Sequence, residues 1–198
     1  MVAFVVASGL SDMRRYLEAL PQVAERAAVL AVNQVAQRDA ITLSKREMRA
    51  QIDFPAGYLE GGRRLSVNRR ATSVSIEASI VGRDRPTSLA RFARGQNPQN
   101  TRGQGVRVQV KKGRTQVLRK AFMVPLRNGN LGVAVRLPKG ETLRNSDGAK
   151  QLSNNVYLLY GPSVDQVFRG VASDITPQLS RNLSNEFLRQ FARLSSGI

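Results

Sequence analysis

The run AFMVPLRNGNLGVAVRL, residues 121–137, decides how the chain is read. Two apolar stretches flank Asn128-Gly129, and Asn-Gly is the preferred pair where both turn residues take positive φ. The run therefore predicts a tight β-hairpin. Its charges, Arg127 and Arg136, are both positive, and the residues before it are more basic still.

That basic bias is local. The chain of 198 residues carries 31 Lys and Arg against 14 Asp and Glu, a net charge of +17. Residues 61–120 hold fifteen basic and two acidic residues, Glu77 and Asp84, for a net +13. Residues 1–60 are neutral and residues 121–198 carry +4. Solubility alone asks for less than such a concentration. It points to a polyanion or an acidic protein surface as partner. Twelve of the fifteen are Arg, whose fork suits phosphate or carboxylate. The candidate contacts are Arg63, Arg64, Arg69, Arg70, Arg83, Arg85, Arg91, Arg94, Arg102, Lys111, Lys112 and Arg114.

What surrounds these residues narrows the partner. The segment holds a single aromatic, Phe92, so stacking on single-stranded bases is disfavoured. It has neither zinc-finger spacing nor a helix–turn–helix unit, so any contact with nucleic acid is through charge, without reading sequence. The competing reading is an arm that orders itself against acidic neighbours in an assembly.

Reactive groups are scarce. With no Cys and no His, the chain lacks disulfides, thiol nucleophiles, imidazole bases and the usual zinc ligands. No pair of acids forms a recognisable motif, so no catalytic residue, metal or cofactor is expected. Gly103-Gln104-Gly105 follows no strand and opens no helix, and reads as loop. Ser44-Lys45 reads as a surface pair in a helix. Hydrophobic content of 41% and a mean hydropathy of −0.29 fit a folded protein. No apolar run approaches the ~18 residues that span a bilayer, so no membrane contact is expected. MVAFVVASGL at the start lacks a basic leader and reads as a strand closed by Ser8-Gly9, not as a secretory signal.

The remaining elements follow from spacing. Ser11 caps a short helix that Pro21 ends. A second helix runs from Gln22 to about Ile52 with Val23, Ala27, Leu30, Ala31 and Val35 on one face, and Phe54-Pro55 stops it. SVSIEASIV (73–81) alternates, with Val74, Ile76, Ala78 and Ile80 inward. Residues 82–105 are rich in Gly, Pro, Asn, Gln and Arg, and SLARFA within them makes one helical turn or two. VRVQVKKGRTQVL (106–118) predicts a basic hairpin, 138–155 a loop and 156–163 a strand. Ser163 caps a short helix carrying Val164, Val167, Phe168 and Val171. Thr176-Pro177 opens a final helix striped by Leu179, Leu183, Phe187, Phe191 and Leu194, a core or subunit-packing face. The outline is a single domain over 1–198 of the α+β class. A long N-terminal helix and a C-terminal helix pack on an antiparallel sheet, with an extended basic loop or arm at 85–105.

Four stretches carry a resemblance. AVNQVAQRDAITLSKREMR (31–49) resembles the N-terminal helix of the phage minor tail protein Z family, the lambda-like tail-completion proteins. RDRPTSLARFA (83–93) and KAFMVPLRNGNLGVAVRL (120–137) are similar to that family's middle, and LLYGPSVDQVF (158–168) to its close. The resemblance implies a virion component at the head-proximal end of a non-contractile tail, completing the tail so that it joins a DNA-filled head. It implies a homo-oligomeric ring, a hexamer, made in the host cytoplasm. Its neighbours would be tail terminator, tube or head-connector proteins, and DNA phosphates would pass within reach. A wholly unpaired basic ring would grip that DNA, so part of the charge belongs in subunit contacts. The alternative is a free-standing, sequence-indifferent DNA-binding protein. It would bind duplex tightly, with affinity falling steeply as salt rises, and would not form a closed oligomer.

Overall fold

The computed structural model describes residues 10–95, 104–144 and 148–196, with backbone alone for residues 10–17 and Ala19. The strand expected at the start of the chain lies outside the described residues. Two long helical runs and antiparallel sheets make the α+β class. The helical elements are α1 (Leu10–Gln34), a π-helical turn at Val35–Ala40, α2 (Ile41–Gln51) and α3 (Val164–Ser195). The strands are β1 (Leu65–Arg69), β2 (Ser79–Gly82), β3 (Thr87–Ser88), β4 (Val106–Val108), β5 (Gln116–Leu118), β6 (Ala121–Pro125), β7 (Leu131–Arg136), β8 (Ala149–Ser153) and β9 (Val156–Gly161). These residues gather into two compact units. One comprises Met1–Thr42, Val67–Ile80 and Ile175–Ile198, the other Leu43–Ser66 and Val81–Asp174.

Two expected helix breaks do not occur. The helix α1 runs through Pro21, and α3 through Pro177. A proline removes one backbone donor and crowds the carbonyl four residues back. Both prolines are exposed, so water can take up the carbonyl left without its partner. Thr176 is thus inside a helix rather than capping one. Ser163, in contrast, caps α3 as its sequence predicts. Its Oγ accepts from the Gln166 N–H at 3.0 Å while Gln166 Oε1 accepts from the Ser163 N–H at 2.9 Å. That reciprocal pair is a capping box. Ser163→Ala should therefore lower stability by about 1 kcal/mol in urea unfolding, and Ser163→Asp should keep most of it.

In the first unit, small side chains make the buried face of the N-terminal helical run. Ala27, Ala31, Val35, Ala36 and Ala40 are buried, stepping by four residues and then by four or five across the π turn. The wider turn absorbs the extra residue, a phase shift that a regular 3.6 period does not show. Asp39 accepts from Asn182 Nδ2 at 3.0 Å, tying this run to α3. Asn33 holds the loop after β1: its Nδ2 donates to the Ala71 carbonyl and its Oδ1 accepts from the Ala71 N–H, both at 2.9 Å. The inward alternation expected over 73–81 is corrected here. Val74 is 95% exposed and Ile76 42%, and only Ser79–Gly82 is strand. Thr72 and Ser75 exchange backbone hydrogen bonds at 2.9 and 3.2 Å, closing a turn where the alternation called for a ladder.

In the second unit β9 is the organising strand. The sheet order is β3-β9-β7-β6, with β8 pairing β9 as well. The registers Ala134↔Leu158 and Phe122↔Ala134 stack Ala134, Leu158 and Val156 into a core, against which Phe122, Val124, Leu126 and Tyr160 pack. Gly132, Val133 and Ala134 are all buried, so β7 is covered on both faces. β8 replaces part of the loop expected at 138–155. Only Ala149 of its five residues is buried, and pairing with β9 makes it a strand.

The opening hairpin forms, with β6 paired to β7 from Ala121↔Val135 to Pro125↔Leu131. Its turn differs from the expected one. Gly129 has φ +75°, whereas Asn128 has a negative φ. The Leu126 N–H donates to the Asn130 carbonyl at 2.8 Å and the Gly129 N–H to Leu126 at 2.9 Å. This is a three-residue loop, a type I turn followed by a left-handed glycine. Asn128 contributes through its side chain, Oδ1 accepting from the Asn130 N–H at 3.2 Å. The basic hairpin also forms, with Val106↔Leu118 and Val108↔Gln116 pairing β4 and β5. Ser44, read as a surface residue, is fully buried in α2.

Candidate functional site

The basic stretch between β2 and β4 is held by apolar residues. Thr87 pairs with Gly161 of β9, and Ala93 bridges Val108 of β4. Between them Leu89–Phe92 makes the short helical turn expected from SLARFA, as a 3-10 helix. It buries Leu89 and Phe92, the latter 1% exposed. The segment's lone aromatic is therefore core. It stands 5.9 Å from the Phe54 ring, and Phe54 stacks on Tyr58 at 5.5 Å. Residues 96–103, the centre of the arm expected over 85–105, lie outside the described residues, and Arg102 with them.

Tyr58 gathers the arginines. The Arg64 guanidinium lies 4.0 Å from the ring centroid, Arg91 5.4 Å and Arg83 5.8 Å. Arg64 Nη1 donates to the Tyr58 carbonyl, and Arg83 Nη2 to the Tyr58 hydroxyl at 2.6 Å. That hydroxyl also pairs with Thr87 Oγ1 at 3.1 Å. Cation–π contact with a ring face contributes about 0.5–2 kcal/mol and partly offsets the crowding of like charges. A cavity of about 550 Å³ opens beside this group. Arg83, Arg85 and Arg91 line it with the β6–β7 turn and Leu126, Leu131 and Leu158. No acid is among the described residues of its walls. Ser88 Oγ donates to the Leu131 carbonyl at 3.2 Å, joining the basic stretch to the hairpin.

The other predicted contacts are placed apart. Arg94 pairs with Asp53, and Arg69 with Glu77 at 2.8 Å. Lys111 and Arg114 line a second cavity of about 510 Å³ at the β4–β5 turn, with Lys112 exposed beside them. Arg63 is exposed at φ +50°, and Arg70 is exposed in the first unit. Arg, Tyr and the Asn-Gly turn thus converge where residue type alone pointed only to arginine. Tyr58, Asn130 and Leu131 escaped notice because each reads as ordinary turn or core.

The predicted packing stripe lies in the first unit. Leu179, Phe187, Phe191 and Leu194 are half-buried, while Leu183 is 37% exposed and Leu188, outside the stripe, 62%. Phe187 and Phe191 stack at 6.0 Å. Leu183, Phe187 and Leu188 line an apolar groove of about 380 Å³ with Ala28, Ala31 and Val32. Beside it, hydrogen bonding from Arg189, with Gln190 adding to it, holds the Glu186 carboxyl below its usual pKa. A lowered carboxylate pKa stabilises the fold above the ordinary carboxylate range, and that contribution fades as pH falls through the lowered value.

Charge and packing surface dominate this fold. Among the described residues no three metal-ligating side chains come together, and no helix is long and apolar enough to cross a membrane. An α+β scaffold offering basic cavities and exposed apolar residues is of the class that works by contact with other macromolecules. The chain belongs to the prophage minor tail protein Z family, whose model matches residues 8–194. It accordingly has a structural role in a phage tail. Neither the curated proteins nor the solved structures contain a significant match.

Proposed function

We propose that this chain is a ring subunit that completes the head-proximal end of a non-contractile tail and helps join the tail to a DNA-filled head. What supports the reading, within a tail protein, is the surface the single chain leaves uncovered. Arg83, Arg85 and Arg91 face a cavity with no carboxylate among its described lining residues, and Val74 and Leu188 stand 95% and 62% exposed. Exposed apolar groups and unmatched charge on one chain are features that assembly covers. Contacts between unlike patches on identical copies close into rings when the rotation permits. The axis of such a ring would pass DNA, and the tail terminator, tube or connector would lie above and below.

The test is a phage with the gene for this chain deleted. It should yield filled heads and full-length tails that stay separate, and adding the purified protein should restore joining. Joined particles formed without the protein would contradict the proposal. Native mass spectrometry of the purified protein should show a closed oligomer, six copies by this reading. A monomer that binds duplex tightly would favour the free-standing DNA-binding alternative.

A further inference from the structure

We infer that the cavity beside Tyr58 receives a carboxylate from another polypeptide, flanked there by apolar side chains. The inference rests on the tail role proposed above, and two independent observations carry it. The first is unmet hydrogen bonding. Arg83 lines the cavity with its Nε buried and unpartnered, and neither Arg85 nor Arg91 has an ion-pair partner among the described residues. Buried unpartnered polar atoms are few in folded proteins, and such groups commonly mark a missing ion or partner. With Arg64, Arg83 and Arg91 all within 5.8 Å of one ring centroid, an anion would relieve a real repulsion.

The second observation is the character of the walls. The cavity of about 550 Å³ is the size that takes a few side chains. Leu126, Leu131 and Leu158 line it together with the arginines, and Leu131 is 39% exposed. A DNA phosphate would satisfy the guanidiniums and leave Leu131 wet. A duplex presents its phosphates on the outside of a rod, with no apolar group beside them to fill the cavity. A peptide carboxylate between apolar residues meets both kinds of lining at once. Arg and Tyr are also the residue types that anchor protein interfaces most strongly.

The experiment places a photo-cross-linking residue at Asn130, on the exposed turn at the cavity rim, in whole phage particles. Irradiation should link the chain to a protein segment with Asp or Glu within a few residues of the adduct. Arg85→Glu with Arg91→Glu should cut the adduct by roughly tenfold or more, as expected when a charge pair at an interface is reversed. Both arginines are exposed, so the variant should fold, losing only the Arg91 contact with the Tyr58 ring. Should it not fold, Arg85→Glu alone replaces it, with a smaller loss of adduct expected. Adducts to DNA alone, no protein adduct, or an adduct indifferent to these substitutions would each overturn the inference. An intact, arginine-dependent adduct in a chain that never forms a ring would sink the ring proposal instead.

Discussion

Phe92→Ala should lower the free energy of unfolding by about 3–5 kcal/mol, the cost of emptying a filled aromatic site in a core. The ring is 1% exposed and packs against Phe54 at 5.9 Å. A Cβ on Gly161 would lie only 2.8 Å from its Cε2, so the strand leaves no slack on that side. The backbone is committed as well: the Phe92 carbonyl accepts from the Gln109 N–H at 2.8 Å, and the Arg94 N–H donates to Arg107 at 3.0 Å. Against the usual 5–15 kcal/mol of a folded domain, such a loss is large. It should also release the arginines that Phe92 positions, because the Leu89–Phe92 turn carries Arg91. Urea unfolding followed by circular dichroism gives the number, and a loss below about 1 kcal/mol would mean that this turn is not seated as described.

Gly82→Ala should destabilise the fold by about 1–3 kcal/mol or more, the range for overpacking a close contact. Gly82 ends β2 against the start of α3. A Cβ there would meet Asp165 Cα at 2.6 Å, Asp165 N at 2.7 Å and the Val164 carbonyl carbon at 3.0 Å. All three are backbone atoms of the first turn, so no side chain can swing aside. Val164 is fully buried and cannot retreat. Gly170→Ala is the matched control. It lies inside α3 with nothing within 4 Å of an added Cβ, and should stabilise by about 0.5–1 kcal/mol. The same methyl group at two glycines should therefore act with opposite sign. Thermal melts of both variants check the pair.

Legibility in the sequence followed the range of the interaction. The hairpin at 121–137 is readable because pairing and turn lie within one short stretch. Its turn type is not, because Asn128 tolerates either sign of φ and the loop chose three residues. Ser163 and Gln166 form a cap that three residues of spacing reveal. The errors arose where a local rule met a distant partner. Pro21 and Pro177 read as breaks, yet their exposed positions let α1 and α3 continue. The alternation at 73–81 lost to the Thr72–Ser75 turn and the Asn33 clamp, and β8 is polar and exists through β9.

The site shows the same division. Arginine as the residue type was evident from composition. The convergence of Arg64, Arg83 and Arg91 on Tyr58 was not, since Arg64 and Arg91 lie 6 and 33 positions from the tyrosine in the chain. Phe92, read only as a lone aromatic that disfavours base stacking, is buried against Gly161 of the sheet. Lys111 and Arg114 fall at a separate cavity, so the charge reads as one block in sequence and is divided between at least two cavities in the fold.

A reconstruction of the head–tail junction from whole particles, with this chain traced in it, is the most direct test. It should show a closed ring of copies at the head-proximal tail end, with the arginines of residues 61–120 against neighbouring polypeptide or DNA. A chain found elsewhere in the tail, or a ring whose basic segment faces open solvent, would contradict the account.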